Sequence, residues 1–185
     1  IDESKSRAGE ICAGLALAGY QVAAILAGAD NLTAEVEKLQ PDVILIDTDS
    51  PSRDTLENLA AMNKDMPRPV VIFTQEDGQE TIRDAVKAGV SAYIVDGLDP
   101  KRIKPIVEVA RARFEDTQAL RRELDEISQK LTDRKLVDKA KGVLMKARGL
   151  DEEAAYHAMR KLAMERGQTI AKVARDVIDM ARVLL

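Results

Sequence analysis

The chain has 185 residues, 45% of them hydrophobic and 32% charged, with a net charge of −4, a size that suits one large domain or two small ones. No apolar run approaches the ~20 residues of a membrane span, no signal-peptide pattern opens the chain, and the lone Cys12 has no internal disulfide partner, which together read as a cytoplasmic protein with no membrane partner. Charge is uneven: 131–185 hold 12 Lys and Arg against 8 Asp and Glu, leaving 16 basic and 24 acidic residues in 1–130, so a polyanion would bind at the C-terminal end, ordinary helix-surface charge being the plainer alternative.

Residues 1–100 alternate short Val- and Ile-rich runs with amphipathic stretches. The pattern predicts buried parallel strands over 22–26, 43–46, 70–73 and 93–95, and helices over 6–18, 33–39, 54–64 and 79–88. Gly19, Asn31, Pro41, Pro67, Pro69 and Gly89 punctuate the boundaries. A βαβ rhythm with short connections implies a parallel sheet covered by helices on both faces. Ile1 reads as the end of a strand, so the natural protein is expected to have a few residues before it.

From Pro100 the character changes to one helix of ~48 residues, about 70 Å long, with Pro105 tolerated near its start. Leu120, Leu124, Ile127 and Leu131 follow the 4-3-4 spacing of a coiled-coil seam, which predicts a homodimer. Arg148, Gly149 and Leu150 break this helix. Asp151 then caps a second helix ending at Gly167, and a third runs from Thr169. Ile170, Val173, Ala174, Val177, Ile178 and Ala181 form an apolar stripe on the third. Leu136, Ala140, Val143 and Ala147 on the long helix are expected to meet it, with Ala155, Ala158, Met159 and Leu162 on the middle one. The predicted domains are 1–99, a helical linker and dimerisation segment over 100–130, and a three-helix domain over 131–185.

Asp47 ends the strand over 43–46, and open parallel sheets carry reactive groups at such strand ends. Asp2 and Glu3 occupy the matching end of the first strand, so Asp2, Glu3 and Asp47 have the hard oxygens that Mg²⁺ prefers. Thr74 follows the strand over 70–73, where its hydroxyl would reach a phosphoryl group on Asp47. With the last strand around Tyr93, these residues resemble the response-regulator receiver domain over roughly 1–115. The resemblance implies a flavodoxin-like, doubly wound α/β fold with Asp47 as phospho-acceptor and Mg²⁺ only in support of phosphorylation. Receiver domains place a lysine after the last strand, where this chain has Asp96. An anion there adds repulsion to the acidic pocket of Asp2, Glu3, Thr74 and Asp96, so the acceptor reads as vestigial and a protein partner as the controller.

In the C-terminal part, Lys135, Lys139, Gly142 and Lys146 share one helix face, with Arg134, Lys141 and Met145 on the adjacent one. Gly142 costs ~1 kcal/mol mid-helix, which is explained either by tight helix packing or by a notch that lets a phosphate backbone approach. Tyr156, Arg160, Lys161 and Met164 combine aromatic and basic groups suited to stacking on an unpaired base, though Tyr156 reads equally as a half-buried core edge. Lys172 extends the basic surface. His157 lacks companions for a metal site.

The runs Ala140 to Met145, Glu153 to Tyr156 and Met159 to Met164, with Val173 and Ala174, resemble the ANTAR domain over roughly 125–185. Receiver, long helix and this domain in that order are similar to AmiR/NasR-type antitermination regulators. Residues 42–51 and 89–97 resemble most the NasT-like, nitrate-assimilation branch. The resemblance implies binding to a leader RNA with two hairpins, preventing terminator formation. It also implies control by a nitrate/nitrite-sensing protein of the NasS type. A DNA-binding response regulator controlled by phosphorylation of Asp47 and a protein-only adaptor remain the alternatives. No nucleophile–base pair or phosphate loop points to an enzyme or to a resident cofactor.

Overall fold

The computed structural model of the chain describes residues 1–2, 8–95 and 100–184. It divides into two compact units, Ile1–Gln118 and Ala119–Leu185. In the first, α1 (Ala8–Leu17), α2 (Leu32–Leu39), α3 (Arg53–Asp65) and α4 (Gln79–Lys87) alternate with β1 (Ile44–Asp47), β2 (Val70–Thr74) and β3 (Ala92–Val95). The strands form one parallel sheet in the order β1-β2-β3, with Ile46 opposite Ile72 and Ile72 opposite Tyr93.

Alternation along the strands divides the core between two faces. Ile44, Ile46, Val70 and Ile72 pack with Leu32, Val36, Leu59, Met62 and Ala85. Val71 and Phe73 on the other face pack with Ala110, and Ile11 and Leu15 of α1 pack with Ile103 and Val107. This is the doubly wound α/β arrangement expected from the alternating pattern. Asn63 locks α3 to the end of α4: its buried side chain donates to the Ala88 carbonyl at 2.8 Å. The neighbouring Gly89 has φ +90, and a Cβ there would lie 2.6 Å from the Asn63 amide nitrogen. Only glycine satisfies both demands.

The strand expected over 22–26 is not formed. Beside it lie Ile1 and Asp2, which pair instead with β1: the Ile1 amino group donates to the Leu45 carbonyl at 2.7 Å and the Asp47 amide donates to the Ile1 carbonyl at 2.9 Å. Toward 22–26, among the described residues, one backbone bond runs from the Asp2 amide to the Leu26 carbonyl at 2.9 Å. One bond makes no ladder, and Val22 and Ile25 are exposed rather than buried.

A 3₁₀ turn, Pro100–Arg102, leads into α5 (Ile103–Arg148), a single helix of 46 residues. Pro105 sits in its first turn, where the missing N–H has no intrahelical partner to lose. Ile103, Val107 and Ala110 are fully buried in the first unit. In the second unit α5 is followed by α6 (Glu152–Arg166) and α7 (Ile170–Leu184). The Asp151 side chain caps α6 by accepting the Ala154 N–H at 2.7 Å, and Gly167 ends it at φ 61.

Leu136, Val137, Ala140 and Leu144 of α5 pack with Met159, Leu162 and Ala163 of α6 and with Ile170, Val173, Ala174, Val177 and Ile178 of α7. Val143 and Ala181, expected in this core, are half-buried outside the cluster, and two further expected positions are replaced. Ala147 is exposed, since Leu144 ends the buried stripe of α5, and Ala158 is exposed while Ala163 is buried. An alanine gives no hydrophobic contrast by which its side of a helix is read from sequence. Met159, 1% exposed, anchors this small core. Met159→Ala is expected to cost about 2–5 kcal/mol, measured by urea unfolding; a loss under ~1 kcal/mol contradicts this packing.

Candidate nucleic-acid interface

The outer side of α5 carries the expected basic groups because its inner side is used up by Leu136, Val137, Ala140 and Leu144. Arg134, Lys135, Lys139 and Lys146 are exposed, and among the described residues none of them has an ion pair within 4 Å. Gly142 lies between them, and a Cβ built there meets nothing within 4 Å. Of the two explanations for this glycine, tight helix packing is therefore not what the fold uses. The surface is open. Met145 borders it, 39% exposed.

Lys141 occupies a different environment from its neighbours. Its ammonium bonds Asp138 at 2.7 Å and Glu152, at the start of α6, at 2.6 Å, and its side chain is only 16% exposed. The hydrogen bond to Asp138, followed by that to Glu152, raises its pKa above 10.5. The same hydrogen bond holds Asp138 below the ordinary 3.8. The Lys141 contribution to stability is thus present below pH 10.5 and lost as pH rises through the raised value. That of Asp138 is present above pH 3.8 and lost as pH falls through the depressed one. Lys141, expected as a ligand-facing cation, instead clasps α6 to α5. Reversing its charge would also break both of these ion pairs, so Arg160 is the cleaner probe of the surface.

On α6 the side away from Met159 and Ala163 presents Tyr156, Arg160 and Met164 at i, i+4 and i+8. Tyr156 is 39% and Met164 75% exposed, so Tyr156 is half-buried at the edge of the core with part of its ring open, and Met164 faces solvent. Its ring meets His157 edge-on, centroids 6.2 Å apart. His157, Arg160, Lys161, Met164 and Glu165 line a shallow depression, and Lys161 approaches Glu165 at 3.9 Å. His157 and Glu165 join this surface without being expected there; their i, i+4 spacing to Lys161 is the signal that would have found them. Lys172 of α7 pairs with Asp176 at 3.4 Å, which Arg166 also approaches at 4.0 Å. What reads in the sequence as one basic patch is thus the open face of α5, a depression formed by α6 residues, and a Lys172–Asp176–Arg166 cluster.

The acidic strand ends of the first unit are also defined. Asp47 closes β1 at 3% exposure, and Asp2, 6% exposed, is its partner in a parallel bridge. Thr74 ends β2 fully buried, but its hydroxyl donates to the Asp49 carbonyl at 2.9 Å and accepts the Glu76 N–H at 3.1 Å. Its expected role toward a group on Asp47 therefore competes with two existing bonds. The Tyr93 hydroxyl donates to the Glu76 carbonyl at 2.9 Å, and burial raises its pKa. Glu3 and Asp96 lie outside the described residues. Among the described residues no three His, Cys, Asp or Glu side chains are grouped to hold a metal ion, and no helix is long and apolar enough to cross a membrane.

On the stretch of α5 that follows Gln118, Leu120, Leu124, Ile127 and Leu131 are 54–66% exposed. Four large apolar side chains at coiled-coil spacing face solvent in the single chain.

Comparison with known proteins agrees with this anatomy. The response regulator receiver domain family matches residues 1–108, and the ANTAR domain family matches residues 125–178. The chain is similar to the transcriptional regulatory protein PdtaR of Mycobacterium tuberculosis, 29% identical over 161 residues, covering 87% of this chain and 78% of the relative. It is similar to the nitrate regulatory protein of Klebsiella oxytoca, 36% identical over 77 residues, covering 42% and 19%. It also resembles the aliphatic amidase regulator of Pseudomonas aeruginosa, 23% identical over 109 residues, covering 59% and 56%. Among solved structures, a CheY-like receiver domain protein from Methanospirillum hungatei superposes with a TM-score of 0.54 at 22% identity, covering 63% of this chain and 93% of that one, a likeness of fold.

Proposed function

Because the chain belongs to the response regulator receiver family and carries an ANTAR domain over 125–178, we propose that it is an RNA-binding transcription antiterminator. The observation that carries this reading is the open α5 face, where Arg134, Lys135, Lys139 and Lys146 surround a glycine that no packing contact requires. Cations of this kind neutralise phosphates and release counterions, and Tyr156 with Arg160 and Met164 supplies a platform for an unpaired loop base. The RNA is a leader carrying two hairpins. Two copies of the chain joined along Leu120, Leu124, Ile127 and Leu131 hold both, the second contact gaining from effective concentration. A terminator competing for the same nucleotides then fails to form.

Nitrate assimilation is the regulated process in this reading, supported by the similarity to the nitrate regulatory protein, with a nitrate/nitrite-sensing protein of the NasS type withholding the chain until its ligand binds. The buried carboxylates of Asp2 and Asp47 have the hard oxygens for Mg²⁺, which keeps several waters and needs only one or two carboxylates. A bound Mg²⁺ would offset the charge of a phosphoryl group on Asp47. Since the Thr74 hydroxyl is already engaged, partner control outweighs phosphorylation. Asp47→Asn is accordingly expected to leave nitrate-dependent reporter expression nearly unchanged; an unresponsive reporter restores the phosphorylation model.

The direct test is gel-shift of the full chain against a two-hairpin leader RNA and against duplex DNA of the same sequence at matched salt. Tighter binding to RNA supports the reading, and preference for the duplex overturns it. Gly142→Ala gives an independent check. It is expected to stabilise α5 by roughly 0.8–1 kcal/mol, raising the thermal midpoint, while lowering RNA affinity because the methyl group occupies the approach to the backbone. Higher stability with unchanged RNA affinity would remove the glycine from the site.

A further inference from the structure

Dimerisation along the long helix leaves open how the two copies run. The heptad places Leu124 and Leu131 at a positions and Leu120 and Ile127 at d. With leucine at both a positions and Leu120 and Ile127 at d, the seam lacks the β-branched a and leucine d residues that favour a parallel pair, so flanking charge decides. The g positions are Glu123 and Lys130, and the e positions are Arg121, Ser128 and Lys135.

In a parallel pair, g residues meet the partner's following e residues. Lys130 then opposes Lys135, Glu123 meets the neutral Ser128, and the next d layer stacks Arg134 on Arg134. Each is repulsive or neutral, and the contact that Asp116 would gain with Arg121 is offset by the Lys130–Lys135 clash. In an antiparallel pair g meets g and e meets e. Leu120 layers on Leu131, Leu124 layers on Ile127, and Glu123 faces Lys130 twice by symmetry. Arg121 meets Ser128, and no like charges are opposed along the seam. Lys130 is 78% exposed and approached by Glu126 at only 3.8 Å, which leaves its ammonium within reach of a second carboxylate.

We propose that a second copy of this chain covers the Leu120, Leu124, Ile127 and Leu131 face in antiparallel orientation, with Glu123 of each copy paired to Lys130 of the other. The inference rests on the dimer of the preceding reading and adds its direction. It sets the two Gly142 faces at opposite ends of the paired segment, about 50 Å apart at 1.5 Å per residue. Two hairpins are then captured together only when the RNA between them spans that gap.

Disulfide trapping tests the direction. In full-length Cys12→Ser protein, Leu120→Cys alone is expected to give no disulfide dimer under mild oxidation, whereas an equimolar mixture of Leu120→Cys and Leu131→Cys gives a crosslinked heterodimer. Sedimentation of the same samples reports whether a dimer is present at all. Self-crosslinking of Leu120→Cys in a sedimenting dimer overturns the orientation and leaves the dimer standing; monomers overturn both. Charge reversal gives a second reading. Lys130→Glu is expected to weaken the dimer roughly tenfold at low salt by opposing Glu123, and Glu123→Lys in the same chain restores it. Tighter association of Lys130→Glu alone, as a parallel pair with Lys135 would produce, sinks the proposal.

Discussion

Replacing Leu120, Leu124, Ile127 and Leu131 together with glutamine is expected to leave monomers whose affinity for a two-hairpin RNA is lower by about 10²–10⁴-fold. All four side chains are more than half exposed in the single chain, so they contribute little to its own core. Glutamine also keeps nearly the helix propensity of leucine. The substitution therefore removes the partner without melting α5, which circular dichroism checks. Affinity for a single isolated hairpin stays near that of the parent, because each copy keeps its own α5 and α6 surfaces. The loss is confined to the gain from linkage. Equal loss on one hairpin and on two would show that the seam supports the RNA surface itself, and a persisting dimer would place the interface elsewhere.

Reversing Lys135, Lys139 and Lys146 together to glutamate is expected to lower RNA affinity by about 10²–10³-fold at low salt and to flatten the log–log salt slope by about 2. Three released counterions account for both numbers, at ~0.7 per phosphate contact on single strands. These lysines have no intramolecular ion pair within 4 Å among the described residues, so stability should shift by no more than ~0.5 kcal/mol. Binding titrated from low to high salt, alongside a thermal melt, separates the two effects. An unchanged slope means that the phosphates lie on another face.

Much of the architecture is legible in the order of the residues. Hydrophobic period marks β1, β2 and β3, the helices between them, and the unbroken run of α5. Asp151 and Gly167 bound α6 to within a residue, since a cap is a bond between a side chain and its own helix. The seam and the basic stripe are legible for a similar reason: spacing along one helix already says which residues share a side.

The features that escape such reading involve partners from elsewhere in the chain. The apolar run over 22–26 has strand composition, yet among the described residues it forms no strand and receives one backbone bond, from the Asp2 amide to the Leu26 carbonyl. Thr74 stands at the end of β2 as the pattern requires, but its hydroxyl is taken by Asp49 and Glu76. Lys141 is one more lysine in a basic run until Glu152 arrives from α6 to hold it.

Local periodicity determined β1, β2, β3 and the helices, and the face that most of them present, because those depend on neighbours within about one helical turn or one strand. Only tertiary structure decided which polar groups are already committed and which stay open. A hydrogen bond or ion pair is made by whichever group is brought within reach, and only the packing of distant segments determines that. By this criterion Lys141 is claimed by two carboxylates, whereas the space around Gly142 is left free.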